Sequence, residues 1–437
     1  MTVTALLDQL KPYQANHLFI LVGGNPLPCF VAARLLVKQD GIIYLVYSTT
    51  TKIYANALAS MFPKNILLPL DDNERKPDKI AEKIRDNSKD LSGIIGLHYT
   101  GGTKVMAVHS YQTLLTTQPD TIFSYLDPHR LEICFERRRK PFGYPIKLSA
   151  AASSKALSLT LHQLWQLHNK SALLKAVHPK NFSERTDPIF PRYRKILTPP
   201  DVSKVLEVPE LPGLAEILAQ HLCDKETREQ WINCFEGKDR LNDDNHIDQL
   251  PLDDVKLYLK DQKPPIQTIA DLKARIGHNR SLNYLGNGGD WLEDLVLQYL
   301  KDLQNDLNIN DIVCSAKTVR PGKSSEVEME LDVVAIRGYQ LFIFSCYAGQ
   351  NVETCKAKLY EAAMRAYQLG GSEARFALVC CYRGKQEDKH RPKQNLINQM
   401  SGTLSMRSFN VFDHYDIPRL KEEIRSWILE VDKEART

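Results

Sequence analysis

The chain has 437 residues, a quarter of them charged, with 57 basic and 53 acidic side chains and a formal net charge of +4. That length predicts two or three domains, and the mild charge permits local basic patches for nucleic acid without demanding them. No apolar run nears the ~18 residues of a membrane span. The N-terminus lacks a signal peptide's basic start and cleavage site, and the nine scattered cysteines contain no CxxC pair. A cytoplasmic protein with reduced thiols is the expectation, with no membrane partner.

His17 to Val22 reads as a buried strand ending at Gly23-Gly24-Asn25-Pro26-Leu27-Pro28, followed by an apolar helix from Cys29 to Val37. Gly41 to Tyr47 is a second strand, ending at Ser48-Thr49-Thr50-Thr51-Lys52 ahead of a helix through Ala59. Asn65 to Leu70, Ile94 to Leu97 and Thr121 to Leu126 continue the series, with a hairpin over Leu131 to Phe135 and Tyr144 to Leu148. Alternating strands and helices imply a doubly wound parallel sheet, which binds ligands outside the carboxyl ends of its strands. The fourth strand runs through Thr100-Gly101-Gly102-Thr103-Lys104 into a helical pattern. Glycines that admit a ligand to the backbone, N–H groups at a helix start, two hydroxyls and a lysine together suit an anion. The three loops are small, hydroxylated or basic, so the expected ligand is an anion with hydrogen-bonding groups, such as a nucleotide.

The order of a GGN loop, an STTTK loop and a TGGTK helix start resembles the CARF domain, the CRISPR-associated Rossmann fold, over residues 1–165. The resemblance implies a homodimer that binds a cyclic oligoadenylate across its interface. It places Thr100, Gly101, Gly102, Thr103 and Lys104 at the ligand, with Asn25, Ser48, Thr49 and Thr50 as further contacts. Lys52 is equally well read as a solvated helix-start lysine.

Residues 166–285 read as a partly helical connector. Ala156 to His168 is an amphipathic stretch that closes the first domain, and prolines and charges from Pro179 to Asp201 mark a linker. Leu211 to Phe235 and Asp253 to Leu259 have helical patterns. His221, Cys223, Cys234 and His246 match no zinc spacing, and Arg275 to Arg280 is a small basic cluster that suits a phosphate contact or, more simply, a solvated face.

From residue 286 onward the pattern changes. Gly286-Asn287-Gly288-Gly289-Asp290 opens an amphipathic helix through Trp291-Leu292-Glu293 to about Leu303. A strand near Ile312 to Ala316, a long strand from Glu326 to Ile336, a turn at Arg337-Gly338 and a strand from Leu341 to Tyr347 follow, then a helix from Glu353 to Tyr367. Acidic residues on a helix–strand–hairpin–helix frame resemble the PD-(D/E)xK nuclease fold, a restriction-endonuclease-like α/β domain over residues 286–437. Phosphodiester hydrolysis needs carboxylates to hold Mg²⁺ or Mn²⁺ and a lysine to stabilise developing charge.

More narrowly, Trp291-Leu292-Glu293 and Glu330-Leu331-Asp332-Val333 resemble the C-terminal domain of CARF nucleases that respond to cyclic tetra-adenylate. The resemblance implies DNA or RNA cleavage in type III CRISPR antiviral defence. It makes Asp332 the first metal carboxylate and Glu293 the helix carboxylate. Where the family reads (E/S)CK this chain has Ser345-Cys346-Tyr347, with serine at the second acid position and tyrosine at the lysine position. Two substitutes are available: Glu330, and also Glu328, shares a strand face with Asp332, and Lys356 or Lys358 from the next helix can supply the ammonium, although Glu353, Lys356 and Glu361 read equally well as a solvated helical face. The metal set is then Glu293, Glu330 and Asp332. Cys346 reads as a core residue, not a nucleophile. The basic segment Arg383, Lys385, Lys389, His390, Arg391 and Lys393 suits a nucleic-acid contact or a solvated loop. A non-catalytic sensor, whose altered second domain only binds nucleic acid or a partner, stays open beside the enzyme.

Overall fold

Short apolar runs build the first sheet. The computed structural model describes residues 2–137, 140–174, 211, 213–236, 241–276, 289–320, 323–384, 392–402 and 409–434. The Pro179–Asp201 stretch, the Gly286–Gly288 turn, the side chain of Glu328 and the basic residues Lys385, Lys389, His390 and Arg391 lie outside the described residues and side chains. β1 (Ala15–Leu21) has β2 (Val37–Tyr47) and then β3 (Asn65–Pro69) on one side. On the other lie β4 (Ile95–His98) and β5 (Ile122–Asp127). These strands are parallel, and β6 (Glu132–Arg137) and β7 (Lys140–Lys147) extend the β5 edge as an antiparallel hairpin.

The helices of this domain are α1 (Val3–Leu10), α2 (Leu27–Leu36), α3 (Lys52–Met61), α4 (Pro77–Ser88) and α5 (Lys104–Thr117), closed by α6 (Ala150–Leu157) and α7 (Leu161–Leu167). The sequence reading passes over α4, because only Ile80, Ile84 and Ser88 are buried on an otherwise charged helix. The strand order turns back at β1, so the crevice of a doubly wound sheet opens between the loops after β1 and β4.

The second sheet has the order β13-β12-β11-β10-β9-β8. Its edge strand β8 (Ser171–Leu174) pairs antiparallel with β9 (Asp311–Arg320), inside the stretch read from sequence as connector. Four residues without alternation carry no strand signal of their own. The helices α8 (Leu214–Leu222), α9 (Lys225–Glu236), α10 (Asp253–Lys260) and α11 (Ile269–Ile276) precede α12 (Asp290–Leu307). β10 (Lys323–Arg337) and β11 (Gln340–Tyr347) complete an antiparallel centre with β9. After α13 (Val352–Gly370), β12 (Arg375–Cys380) and β13 (Phe409–Phe412) add parallel strands, with α14 (Pro392–Ser401) between them and α15 (Leu420–Glu434) at the end.

One continuous apolar core joins the two sheets. Leu161, Leu164 and Trp165 of α7 pack in the same cluster as Val313, Leu341 and Leu359. Hydrogen bonds reinforce the seam: Leu161 N donates to Asp311 Oδ2 (2.9 Å), Ser154 Oγ to Asn308 O (2.6 Å) and His168 Nε2 to Leu369 O (2.8 Å). The opposite face of the second sheet is covered by Trp291, Leu292 and Leu295 of α12 together with Leu214, Leu218 and Trp231 from the connector helices. Tyr299 Oη donates to Glu216 Oε1 (2.9 Å) across that contact. Among the described residues no helix is long and apolar enough to cross a membrane.

Candidate active site and ligand cavity

The carboxylates of the second sheet meet where β9, β10 and β11 run side by side. Val333 pairs with Phe344 on one flank and with Cys314 on the other, so Asp332 lies opposite Ser345 and Ser315. Its Oδ2 accepts from Ser345 Oγ (3.1 Å) and from Cys346 N (2.7 Å), and Lys358 Nζ of α13 stands 3.5 Å away. Glu293 arrives from the first turn of α12. That helix starts at Gly289, whose φ of +70° and closeness to Ala348 leave no room for a side chain. Ser315 Oγ donates to Glu293 Oε2 (2.5 Å), and Ser315 holds a left-handed φ of +50° within its strand. A non-glycine residue in that region is strained, and the strain here turns the hydroxyl onto a site carboxylate.

The electrostatics follow from this packing. Burial pulls the Lys358 ammonium down, but the negative charges of Asp332 and Glu293 outweigh it and hold the group above the ordinary lysine value. Lys358 is therefore a fixed positive charge. Burial, with the same two carboxylates, pushes the Cys346 thiol well up, so it stays protonated.

Other sequence candidates sit apart from this cluster. Glu330 pairs with Lys317 across the β9–β10 ladder (2.9 Å). Lys356 pairs with Glu353 on the exposed side of α13 (3.1 Å). Tyr347 folds over Gly349, where any Cβ would collide with the tyrosine ring. In the basic segment, Arg383 pairs with Asp224 (3.0 Å) and Lys393 with Asp416 (3.1 Å). Sequence reasoning passed over Ser315, because nothing in a lone Cys-Ser pair on a strand marks a left-handed turn toward a carboxylate.

Among the described residues no group of three or more His, Cys, Asp or Glu side chains is placed to hold a metal ion. The hard oxygens of Glu293 and Asp332 nonetheless suit Mg²⁺ or Mn²⁺, which commonly take one or two protein carboxylates and complete their shell from substrate phosphate and water.

In the first domain the loops after β1 and β4 touch through backbone. A Cβ on Gly101 would collide with Leu21 O and lie 2.8 Å from Gly23 N, and one on Gly23 would lie 2.9 Å from Gly102 N. A cavity of about 1020 Å³ opens beside them, lined by Asn25, Thr100, Gly101 and Gly102. Thr100 Oγ1 accepts from Leu126 N (2.7 Å), fixing the loop to β5. Thr103 accepts from Met106 N (3.2 Å) as the cap of α5, and Lys104 lies exposed beyond it. Ser48 is buried and bonds with Thr50 Oγ1 (2.9 Å) in the turn before α3, while Thr49 is exposed. Ser48, Thr49, Thr50, Thr103 and Lys104 are not among the residues lining the cavity. Its far wall comes instead from α13 of the second domain, through Arg365, Tyr367 and Gln368.

This two-sheet architecture has counterparts among known proteins. Residues 282–431 match the family model described as "Card1-like, endonuclease domain". No curated protein matches the chain. Among solved structures, protein VC1899 from Vibrio cholerae is similar with a TM-score of 0.63 at 16% identity, over 95% of this chain and 99% of that one. Can2 from Sulfobacillus thermosulfidooxidans, solved in complex with cyclic tetra-adenylate, gives a TM-score of 0.60 at 14% identity, over 97% of this chain and 99% of its own. The fold is thus the two-sheet α/β architecture shared with these two structures, and the segment matched by the Card1-like model holds the Glu293, Asp332 and Lys358 cluster.

Proposed function

We propose that this protein is a homodimeric nuclease switched on by a cyclic oligoadenylate and acting in type III CRISPR antiviral defence. The observation that carries the reading is Lys358. The strand position that would hold the family's lysine is Tyr347, yet an ammonium reaches Asp332 from α13 (3.5 Å). The site therefore keeps the charge that the altered letters of β11 had removed.

Each residue has a role that its surroundings support. Glu293 and Asp332 would hold Mg²⁺ or Mn²⁺, an ion that supplies an activated water and neutralises charge on the scissile phosphate when bound. Ser345 Oγ and the Cys346 amide orient Asp332, and Ser315 orients Glu293. Lys358, 3.5 Å from Asp332, is placed to stabilise negative charge on the phosphate oxygens. Glu330, paired with Lys317, stands ready as a further carboxylate at the same strand. The activator belongs in the cavity beside Gly101 and Gly102, and cyclic tetra-adenylate, which Can2 binds, is the first one to try. Lys104 and Thr103 lie at the same helix start, available to a ligand that reaches across a dimer.

The test is cleavage of supercoiled plasmid, single-stranded DNA and RNA with Mg²⁺ or Mn²⁺, with and without cyclic tetra- or hexa-adenylate. Cleavage that needs both ligand and metal supports the reading and names the substrate. Ligand binding without cleavage of any substrate overturns it and makes the protein a non-catalytic sensor.

A further inference from the structure

The cavity that opens at the glycine loops is not made by the first domain alone. Arg365, Tyr367 and Gln368 from the last turns of α13 line it together with Asn25, Gly101 and Gly102. Gly371, just past that helix, has a φ of +71° and lies so close that a Cβ there would collide with Asn25 Nδ2. Any occupant of the cavity is therefore within reach of both domains.

The chemistry of that wall fits a nucleotide. Among the described residues Arg365 Nε is buried without a hydrogen-bond partner, and the guanidinium's recorded ion pair is a single 3.6 Å approach to Glu361 one turn earlier. A planar guanidinium with unfilled donors is well matched to a phosphate, which it can grip through two parallel hydrogen bonds. Tyr367 is 70% exposed, an unusual state for a large ring, and offers a face on which a base can stack. The volume of about 1020 Å³ is at the upper end for a small-molecule pocket and exceeds the needs of a single nucleotide.

The same helix reaches the nuclease centre. Lys358 and Arg365 are seven residues apart on α13, which is two turns and roughly 10 Å along the axis, on one stripe. Glu361 lies between them.

We infer that Arg365 is a phosphate contact, and Tyr367 a base-stacking contact, for the activating cyclic oligoadenylate, so that the nuclease domain itself binds the ligand through the helix that holds Lys358 on Asp332. The inference rests on the ligand reading above. A ligand gripped at one end of α13 sets the position of the ammonium two turns away, without a relay through other elements.

The experiment is calorimetric titration of the full-length protein with cyclic tetra-adenylate and, separately, cyclic hexa-adenylate. Arg365→Ala, Arg365→Lys and Tyr367→Ala are compared with the parent, each after a melting curve matches the parent's. Arg365→Ala is expected to weaken binding about tenfold or more, Arg365→Lys by less, and Tyr367→Ala several-fold. The ligand concentration for half-maximal cleavage should rise in step. If Arg365→Ala does not fold, Arg365→Lys, which keeps the charge and loses the fork, carries the test. Unchanged binding in the folded variants beside a parent that binds overturns this inference alone. A parent that binds neither ligand overturns the ligand reading and this inference with it.

Discussion

The two sites in this molecule are built from different materials. One side of the cavity is formed by backbone: Gly23, Gly101 and Gly102 lie against one another with no space for side chains. The carboxylate–lysine cluster is formed by a few charged side chains, Glu293, Asp332 and Lys358, delivered from α12, β10 and α13. A backbone site is tied to one stretch of sequence, because the glycines and the loop are the same residues. A side-chain site is tied only to a point in space, and any element that reaches the point can supply the group.

Breaking the second kind of site should have the largest effect. Asp332→Ala is expected to lower ligand-stimulated cleavage by about 10³-fold while leaving calorimetric binding of cyclic tetra-adenylate unchanged, since the carboxylate organises the whole cluster. Equal loss of binding would show that the two sites are not separable. Next comes the migrated lysine. Lys358→Met should cost about 10²-fold in rate, and adding Tyr347→Lys should recover part of it by returning the ammonium to β11. No recovery with a well-folded double variant would mean that position on the sheet matters more than charge.

The glycine side of the cavity should respond to volume. Gly101→Ala places a methyl against Leu21 O and Gly23 N, and overpacking of this kind costs about 1–3 kcal/mol. A lower melting temperature and at least tenfold weaker ligand binding are expected, with cleavage at saturating ligand little changed. Normal binding would show that the two loops can part.

His168 joins both regions, lining the cavity and bonding to Leu369 O. Burial pushes its imidazole down to about 4, below the ~6.5 of an exposed histidine, so the unfolded chain takes up its proton first. Its contribution to stability is full above about pH 6.5 and falls by about 1 kcal/mol per pH unit as the pH drops toward 4. Melting temperatures between pH 7 and 5 should decline, and His168→Gln should flatten the decline. The smallest effect is expected at Lys356, whose partner Glu353 is 75% exposed. Lys356→Ala should change cleavage by no more than about twofold, and a large loss would move the role of Lys358 to its neighbour.

These contrasts explain what could be read before any coordinates. The parallel order of the first sheet and its TGGTK turn were legible, because β-branched runs and glycines encode their own geometry. Glu293 and Asp332 were legible as carboxylates on a helix start and a strand. Choosing between Lys356 and Lys358 was not, since two residues on a helix differ by about 200° in direction and only packing tells which side faces Asp332. β8 was hidden because Ser171–Leu174 gains its strand form by pairing with β9, far away in sequence. Arg365 and Tyr367 were hidden for a related reason: their helix belongs to one domain and the cavity's glycines to the other.

The apolar seam of Leu161, Leu164 and Trp165 against Val313 and Leu341 bears on how such a protein can be recombined. A sensor that meets its effector through a flexible tether can exchange it freely. Here a graft of a foreign effector after α7 would leave a bare tryptophan and two leucines facing whatever surface the newcomer brings. Exchange of halves therefore requires the incoming sheet to carry a matching greasy face, which confines successful chimeras to partners that already share this joint.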